Sequence, residues 1–320
     1  METRIDLAAV QGAANRIRAA IARRLVGQDE RIELLLAALL ADGHVLIEGV
    51  PGVAKTLTAR LLARTLDLAF ARLQFTPDLM PSDVTGTSVF NPKTLAFEFR
   101  PGPVFANVVL IDEINRAPAK TQAALFEVME ERQVTESGIT HRLPPPFFVV
   151  ATQNPIEHEG TYRLPEAQLD RFLMKVVVGY PTHEEEVGIL ERHHAGLRND
   201  DLTDVPAVLG ADELAALRAA VQHIHVEPPL LDYLARLAQA SRRHPALELG
   251  ASPRAAIGLL AAGKALATLR GRDFLTPDDL RAVAPPVLRH RLRLSPEQEM
   301  QGRSPDAVIE EVLGTVEVPR

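Results

Sequence analysis

Residues 44–66 read HVLIEGVPGVAKTLTARLLARTL. The run from His44 to Glu48 is short, mostly apolar and stopped by glycine, the pattern of a buried strand, and the stretch from Thr56 has the spacing of a helix. Between them lies Gly49-Val50-Pro51-Gly52-Val53-Ala54-Lys55-Thr56. Such a loop cradles phosphates: its glycines let backbone N–H groups turn inward, Lys55 reaches the β and γ phosphates, and the Thr56 hydroxyl holds Mg²⁺, all at a helix N-terminus. The usual glycine before the lysine is replaced by Ala54. Its methyl matters only if this position needs a positive φ or a very close phosphate approach.

Working outward, further apolar runs begin at Phe70 (FARLQF), Val108 (VVLIDE), Phe147 (FFVVATQ) and Met174 (MKVVVG). Separated by helix-length segments, they predict the buried parallel strands of an α/β sheet. The Val108 run ends in Asp112-Glu113, so it delivers two carboxylates to the edge where loops above such a sheet converge. Beside a phosphate loop, Asp112 supports the Mg²⁺ shell and Glu113 orients and deprotonates a water attacking the γ phosphate. The Phe147 run leads to Asn154, an amide able to bond both that water and a phosphate oxygen without changing protonation state. Two arginines complete the set. Arg171, in Leu169-Asp170-Arg171-Phe172, suits a finger that stabilises phosphate charge in a neighbouring subunit, with Arg163 as a competing candidate and an ion pair to Asp170 or another acid as the plainer role. Arg254 sits in the first turn of a helix, where a cation opposes the dipole; a bound phosphate would resolve that conflict.

A chain of 320 residues with 46% apolar content fits two domains. Ten of the eleven phenylalanines precede residue 181, and beyond Pro181 the chain turns to alanine- and leucine-rich helices, roughly 184–197, 212–223, 229–242, 253–269 and 277–283. Ser252-Pro253 and Thr276-Pro277 set capping hydroxyls before a proline at the first helical position. These features predict an α/β core over 1–180, an all-helical domain over 181–320, and a hinge at Tyr180-Pro181-Thr182.

The absence of cysteine excludes disulfides, thiolate metal sites and cysteine nucleophiles. A net charge of -7 argues against a protein that coats nucleic acid. No export or membrane-spanning run is visible, which points to the cytoplasm. The histidines carry no metal motif: adjacent His193 and His194 point about 100° apart on a helix, and His183-Glu184 lacks a histidine at Val187. His223 and His225 read as helix caps, and Arg289, Arg291 and Arg293 as a structured element meeting a neighbouring subunit.

In combination, GVPGVAKT, IDEINRAPAKTQAALFEVMEE, ATQNP, EGTYRLPEAQLDRF and GASPRA resemble the MoxR family of AAA+ ATPases, over a span from Val26-Gly27-Gln28 to Leu288–Arg291. The resemblance implies a P-loop fold with a parallel five-stranded sheet and a helical lid. It implies ATP held at residues 49–57, with Gln28 and Leu57 contributing, and Mg²⁺ on Thr56 and Asp112. Glu113 would be the base, Asn154 the first sensor, Arg171 the finger acting in trans and Arg254 the second sensor. It further implies a homo-oligomeric ring, a hexamer, that remodels client proteins, commonly ones with a von Willebrand factor A domain. Two insertions would face the ring pore, Val89–Phe105 with Phe97 and Phe99 on one strand face, and Arg132–Pro146; packing of these rings onto the sheet is the alternative. Competing functions are a magnesium-chelatase-like or nucleic-acid motor subunit and a nucleotide-gated scaffold that hydrolyses negligibly.

Overall fold

The computed structural model describes residues 6–155, 161–196 and 202–319. Glu159 and Gly160 of the EGTY segment and Leu197 at the end of the first predicted lid helix lie outside the described residues. In chain order, α1 (Leu7–Ala22) and α2 (Asp29–Leu40) lead into β1 (His44–Gly49) and α3 (Lys55–Thr65). β2 (Phe70–Gln74) precedes a hairpin of β3 (Gly86–Asn91) and β4 (Ala96–Pro101), then β5 (Val108–Asp112) and α4 (Ala119–Glu131). A second hairpin, β6 (Gln133–Glu136) and β7 (Ile139–Arg142), precedes β8 (Phe148–Gln153) and β9 (Phe172–Val178). The helices α5 (His183–His194), α6 (Ala211–Gln222), α7 (Pro228–Arg243), α8 (Pro253–Leu269), α9 (Pro277–Leu288) and α10 (Pro305–Thr315) follow.

The five predicted strands form one sheet in the order β9-β1-β8-β5-β2, every neighbouring pair parallel. β1 therefore pairs with β8 and β9 and not with β2, which sets the carboxyl ends of β1, β8 and β5 side by side where the order switches. Alternation along the strands feeds two cores. Val45 and Ile47 of β1 pack into a cluster with α1, α2, α3 and the C-terminal helices, whereas Leu46, Ile111 and Val149 pack toward Leu125 and Phe126 of α4.

The C-terminal half is helical with two short additions: Leu209–Gly210 pairs with Leu66–Asp67, and Leu247–Leu249 with Arg293–Leu294. α9 runs on to Leu288 although Pro285-Pro286 reads as a stop. Burial of Pro286, Val287 and Leu288 holds this last turn against its missing N–H donors. The N-terminal helices pack against α8 within the same apolar cluster as the lid helices, so segments on either side of Tyr180 share a core.

Of the arginine cluster, Arg289 and Arg291 turn inward, Arg293 stays exposed, and all three find partners within the chain. Arg289 bonds Asp306 and the Lys175 carbonyl, Arg293 pairs with Glu166 and Glu248, and Arg291 is buried against the Asp170–Leu173 segment. Their partners are carboxylates and strand-end carbonyls of the same chain. His223 stands at the C-cap of α6 as expected, but His225 bonds Glu227 at 2.9 Å instead of capping.

Both insertions are hairpins. Phe97 is 73% exposed and meets its cross-strand partner Phe90 edge-on at 5.5 Å, whereas Phe99, two residues on, stacks on His141 at 3.9 Å and packs against Phe105. The hairpin's base is thus packed and its tip bears exposed rings.

Candidate active site

The loop after β1 closes tightly. A Cβ on Gly49 would lie 2.4 Å from the Val178 carbonyl oxygen, so strand β9 leaves room for glycine alone there. Gly52 and Ala54 both take left-handed backbone, with φ of 86° and 60°, and Ala54 is the N-cap of α3. Ala54 therefore occupies the conformation that the missing glycine would favour, and its Cβ is strained there.

A cleft of about 590 Å³ opens above these strand ends. Of the predicted nucleotide residues, Pro51, Gly52, Ala54, Lys55, Thr56 and Leu57 line it, together with Asp112, Glu113 and Asn154. Gly49, Val50, Val53 and Gln28 are not among the residues that line it. Gln28 accepts a hydrogen bond from the Thr58 hydroxyl at 3.3 Å and so braces α3. Lys55 Nζ bonds the Gly49 carbonyl and lies 3.0 Å from that of Val50, folded back over its own loop.

Asp112 is 3% exposed, yet it has three donors. Thr56 Oγ1 donates to its Oδ1 at 2.7 Å, Thr152 Oγ1 to the same oxygen at 3.2 Å, and Arg72 Nε to Oδ2 at 2.8 Å. These three donors offset the cost of burying the carboxylate. Glu113 takes left-handed backbone (φ 56°) that swings it off the strand line, and its N–H donates to Thr152 Oγ1 at 3.1 Å. Its Oε2 accepts from Gln74 at 2.8 Å and Arg116 at 3.0 Å. Asn154, 5% exposed, follows β8 and completes the wall between the β1 and β5 ends.

The residues fit Mg²⁺. A hydroxyl and a carboxylate oxygen 2.7 Å apart are hard donors, and a site with only two protein ligands suits an ion that keeps waters and takes phosphate oxygens. Among the described residues no group of three His, Cys, Asp or Glu side chains forms a closed metal cage.

The two predicted arginines lie elsewhere. Arg171 Nε is 2.8 Å from Glu130 Oε2, and its Nη1 donates to the Ala167 carbonyl at 2.7 Å. Arg254 Nη1 donates to Glu130 Oε1 at 3.1 Å, and its Nε is 4.0 Å from Asp170 Oδ2. Neither lines the cleft, so within one chain Lys55, Arg171 and Arg254 do not converge. The plain ion-pair role considered for Arg171 is met by Glu130, not by Asp170. Arg163 is exposed.

Sequence reading missed Arg72, Gln74, Arg116, Thr152 and Glu130. The first two were legible: polar residues two apart in a strand share a face, and Arg72 and Gln74 interrupt an apolar run on the side that meets Asp112 and Glu113. Glu130 and Glu131 carried a signal too, as acids in the last turn of α4, where the dipole opposes them.

Comparison with known proteins follows the same lines. A family profile described as "ATPase family associated with various cellular activities (AAA)" matches residues 44–174, and an "AAA lid domain" profile matches residues 239–312. The chain is 47% identical to Chaperone MoxR1 of Mycobacterium tuberculosis, over 94% of this chain and 81% of that one. It is 47% identical to the uncharacterized protein YeaC of Bacillus subtilis, over 93% and 92%. A crystal structure from Cytophaga hutchinsonii, described as a proposed ATPase, superposes with a TM-score of 0.89 at 40% identity and covers 98% of this chain and 97% of that one.

Proposed function

The chain belongs to the MoxR family of AAA+ ATPases, and from that premise we propose that it binds MgATP in the cleft above β1, β8 and β5 and hydrolyses it. The observation that carries this reading is the convergence of Lys55, Thr56, Asp112, Glu113 and Asn154 on one cleft from three adjacent strand ends. A scaffold that only bound nucleotide would have no use for a second carboxylate held beside the first.

Lys55 leaves its loop carbonyls for the β and γ phosphates, and the amides at the start of α3 face the same charge. Thr56 and Asp112 would hold Mg²⁺, which would neutralise phosphate charge. Glu113 takes the proton of the attacking water, and the Gln74 and Arg116 donors fix which oxygen faces it. Asn154 orients the water against the γ phosphate. Arg171 acts on nucleotide in an adjacent subunit of a ring, a hexamer by family likeness. Because Arg254 shares Glu130 with Arg171, it belongs on the same side, as a second sensor acting across the interface.

Hydrolysis moves the lid, which we divide from the core near Tyr180, and remodels protein clients, among them ones with a von Willebrand factor A domain. Exposed Phe90 and Phe97 at the first hairpin's tip are suited to gripping apolar client segments. Among the described residues no helix is long and apolar enough to cross a membrane, and we place the protein in the cytoplasm.

The test is Glu113→Gln. Nucleotide binding should persist while turnover falls by about 10²–10⁴-fold, the usual worth of a general base. Unchanged turnover would remove Glu113 from the reaction.

A further inference from the structure

We propose that Glu130 is a positioning residue that docks Arg171 and Arg254 as a matched pair, presented to the terminal phosphate of a nucleotide held by a second copy of this chain. This rests on the ATPase reading above and assigns a role to a residue outside the cleft.

Glu130 gives one oxygen to each arginine, Oε2 to Arg171 at 2.8 Å and Oε1 to Arg254 at 3.1 Å. The two guanidinium groups come from segments on either side of Tyr180, and like charges so close repel unless a counter-charge sits between them. Asp170 supports the arrangement from the other side. Its Oδ2 lies 4.0 Å from Arg254, and its Oδ1 is fixed at 2.6 Å by Arg291. Arg291, with a side chain only 4% exposed, also bonds the carbonyls of Asp170, Phe172, Leu173 and Val287. The backbone on both sides of Arg171 is thus tied to the lid, while the Arg171 and Arg254 heads stay 28% and 48% exposed.

Three arginines against two carboxylates leave this cluster one positive charge in excess. A partly solvated guanidinium pair with excess positive charge is suited to phosphate oxygens. Neither arginine lines its own cleft, which favours a phosphate held by another copy. Without Glu130 the pair would splay, and each arginine would reach an incoming phosphate alone.

The experiment is kinetics on Glu130→Gln with subunit mixing. The substitution keeps the side chain's shape and removes its charge at a partly exposed position. We expect kcat to fall by about 10²-fold, the cost of a misplaced catalytic group, with KM changed much less and the thermal unfolding midpoint kept. Mixing Glu130→Gln subunits with Lys55→Ala subunits should restore part of the activity, because wherever the cleft of a Glu130→Gln subunit faces the arginines of a Lys55→Ala subunit, both sides of that interface are intact. Mixing Glu130→Gln with Arg171→Ala should restore none, since both defects lie on the same side of the interface. Wild-type kcat in Glu130→Gln, or recovery with Arg171→Ala, overturns the proposal. If Lys55→Ala and Arg171→Ala subunits fail to complement each other, the trans reading itself falls, a failure distinct from that of Glu130.

Discussion

Arg254 and Glu130 meet across 3.1 Å, and each stands at the end of its helix where the dipole opposes its charge. Arg254 is in the first turn of α8 and Glu130 in the last turn of α4. Alone, each placement is unfavourable by a few tenths to about 1 kcal/mol. Together they cancel, and the conflict that invited a phosphate at Arg254 is met by a carboxylate 124 residues away. The two halves of the chain are held in register by residues that each look misplaced in isolation.

Replacing Ala54 with glycine should stabilise the protein. Ala54 sits at φ 60° as the N-cap of α3, where alanine is among the poorest residues and glycine is tolerated. The gain should be about 0.5–1 kcal/mol after glycine's larger unfolded-state entropy is subtracted. Urea denaturation of Ala54→Gly checks this; a lower midpoint would mean the left-handed turn is not under strain.

Lys55→Met should bind nucleotide about 10–100-fold more weakly, the loss of one charge-assisted contact. The fold should survive, because Lys55 bonds two carbonyls of its loop, while the apolar cores are untouched. Titration with a fluorescent ATP analogue, read beside a circular dichroism spectrum, separates the two effects.

Stability should fall as pH drops below about 6.5. Burial lowers the pKa of His44 from its ordinary 6.5 to about 4. Its Nδ1 accepts the Val149 N–H, so the ring is held neutral. His290, bonded to the Phe172 carbonyl, is likewise pushed well down, by burial first and then by adjacent Arg291. Between pH 6.5 and 4 the unfolded chain therefore binds protons that the folded chain refuses. The stability present above pH 6.5 is lost through that window at up to about 1.4 kcal/mol per pH unit for each histidine. Urea midpoints at pH 7 and pH 5 measure the slope, and His44→Gln should make it shallower; an unaltered slope would exclude His44.

Arg291→Met should destabilise the chain by about 3–5 kcal/mol, because it leaves Asp170 and several buried carbonyls without their donor. Asp170→Asn should cost less, since the amide oxygen still accepts. Equilibrium denaturation of both variants gives the comparison, and a near-neutral Arg291→Met would mean that this contact does not hold lid to core.

The sequence by itself determined the strand-loop-helix at residues 44–66, the five strands, and the placement of Lys55, Thr56, Asp112, Glu113 and Asn154 at strand ends. Each is a local property: apolar runs encode burial, glycine and the following lysine encode a phosphate loop, and a polar residue ending a strand encodes the sheet's carboxyl edge. The tertiary structure decided the rest. Only the strand order, with β8 between β1 and β5, brings Thr152 onto both Asp112 and the Glu113 amide. Only the packed loop shows that Ala54 needs a positive φ. Arg291 reads as a surface charge until the carbonyls of β9 close around it, and Arg254 reads as half of an unfinished site until Glu130 meets it. A helix dipole is written in a few neighbouring residues, but the opposite charge that answers it can stand anywhere along the chain, and folding alone brings the two within bonding distance.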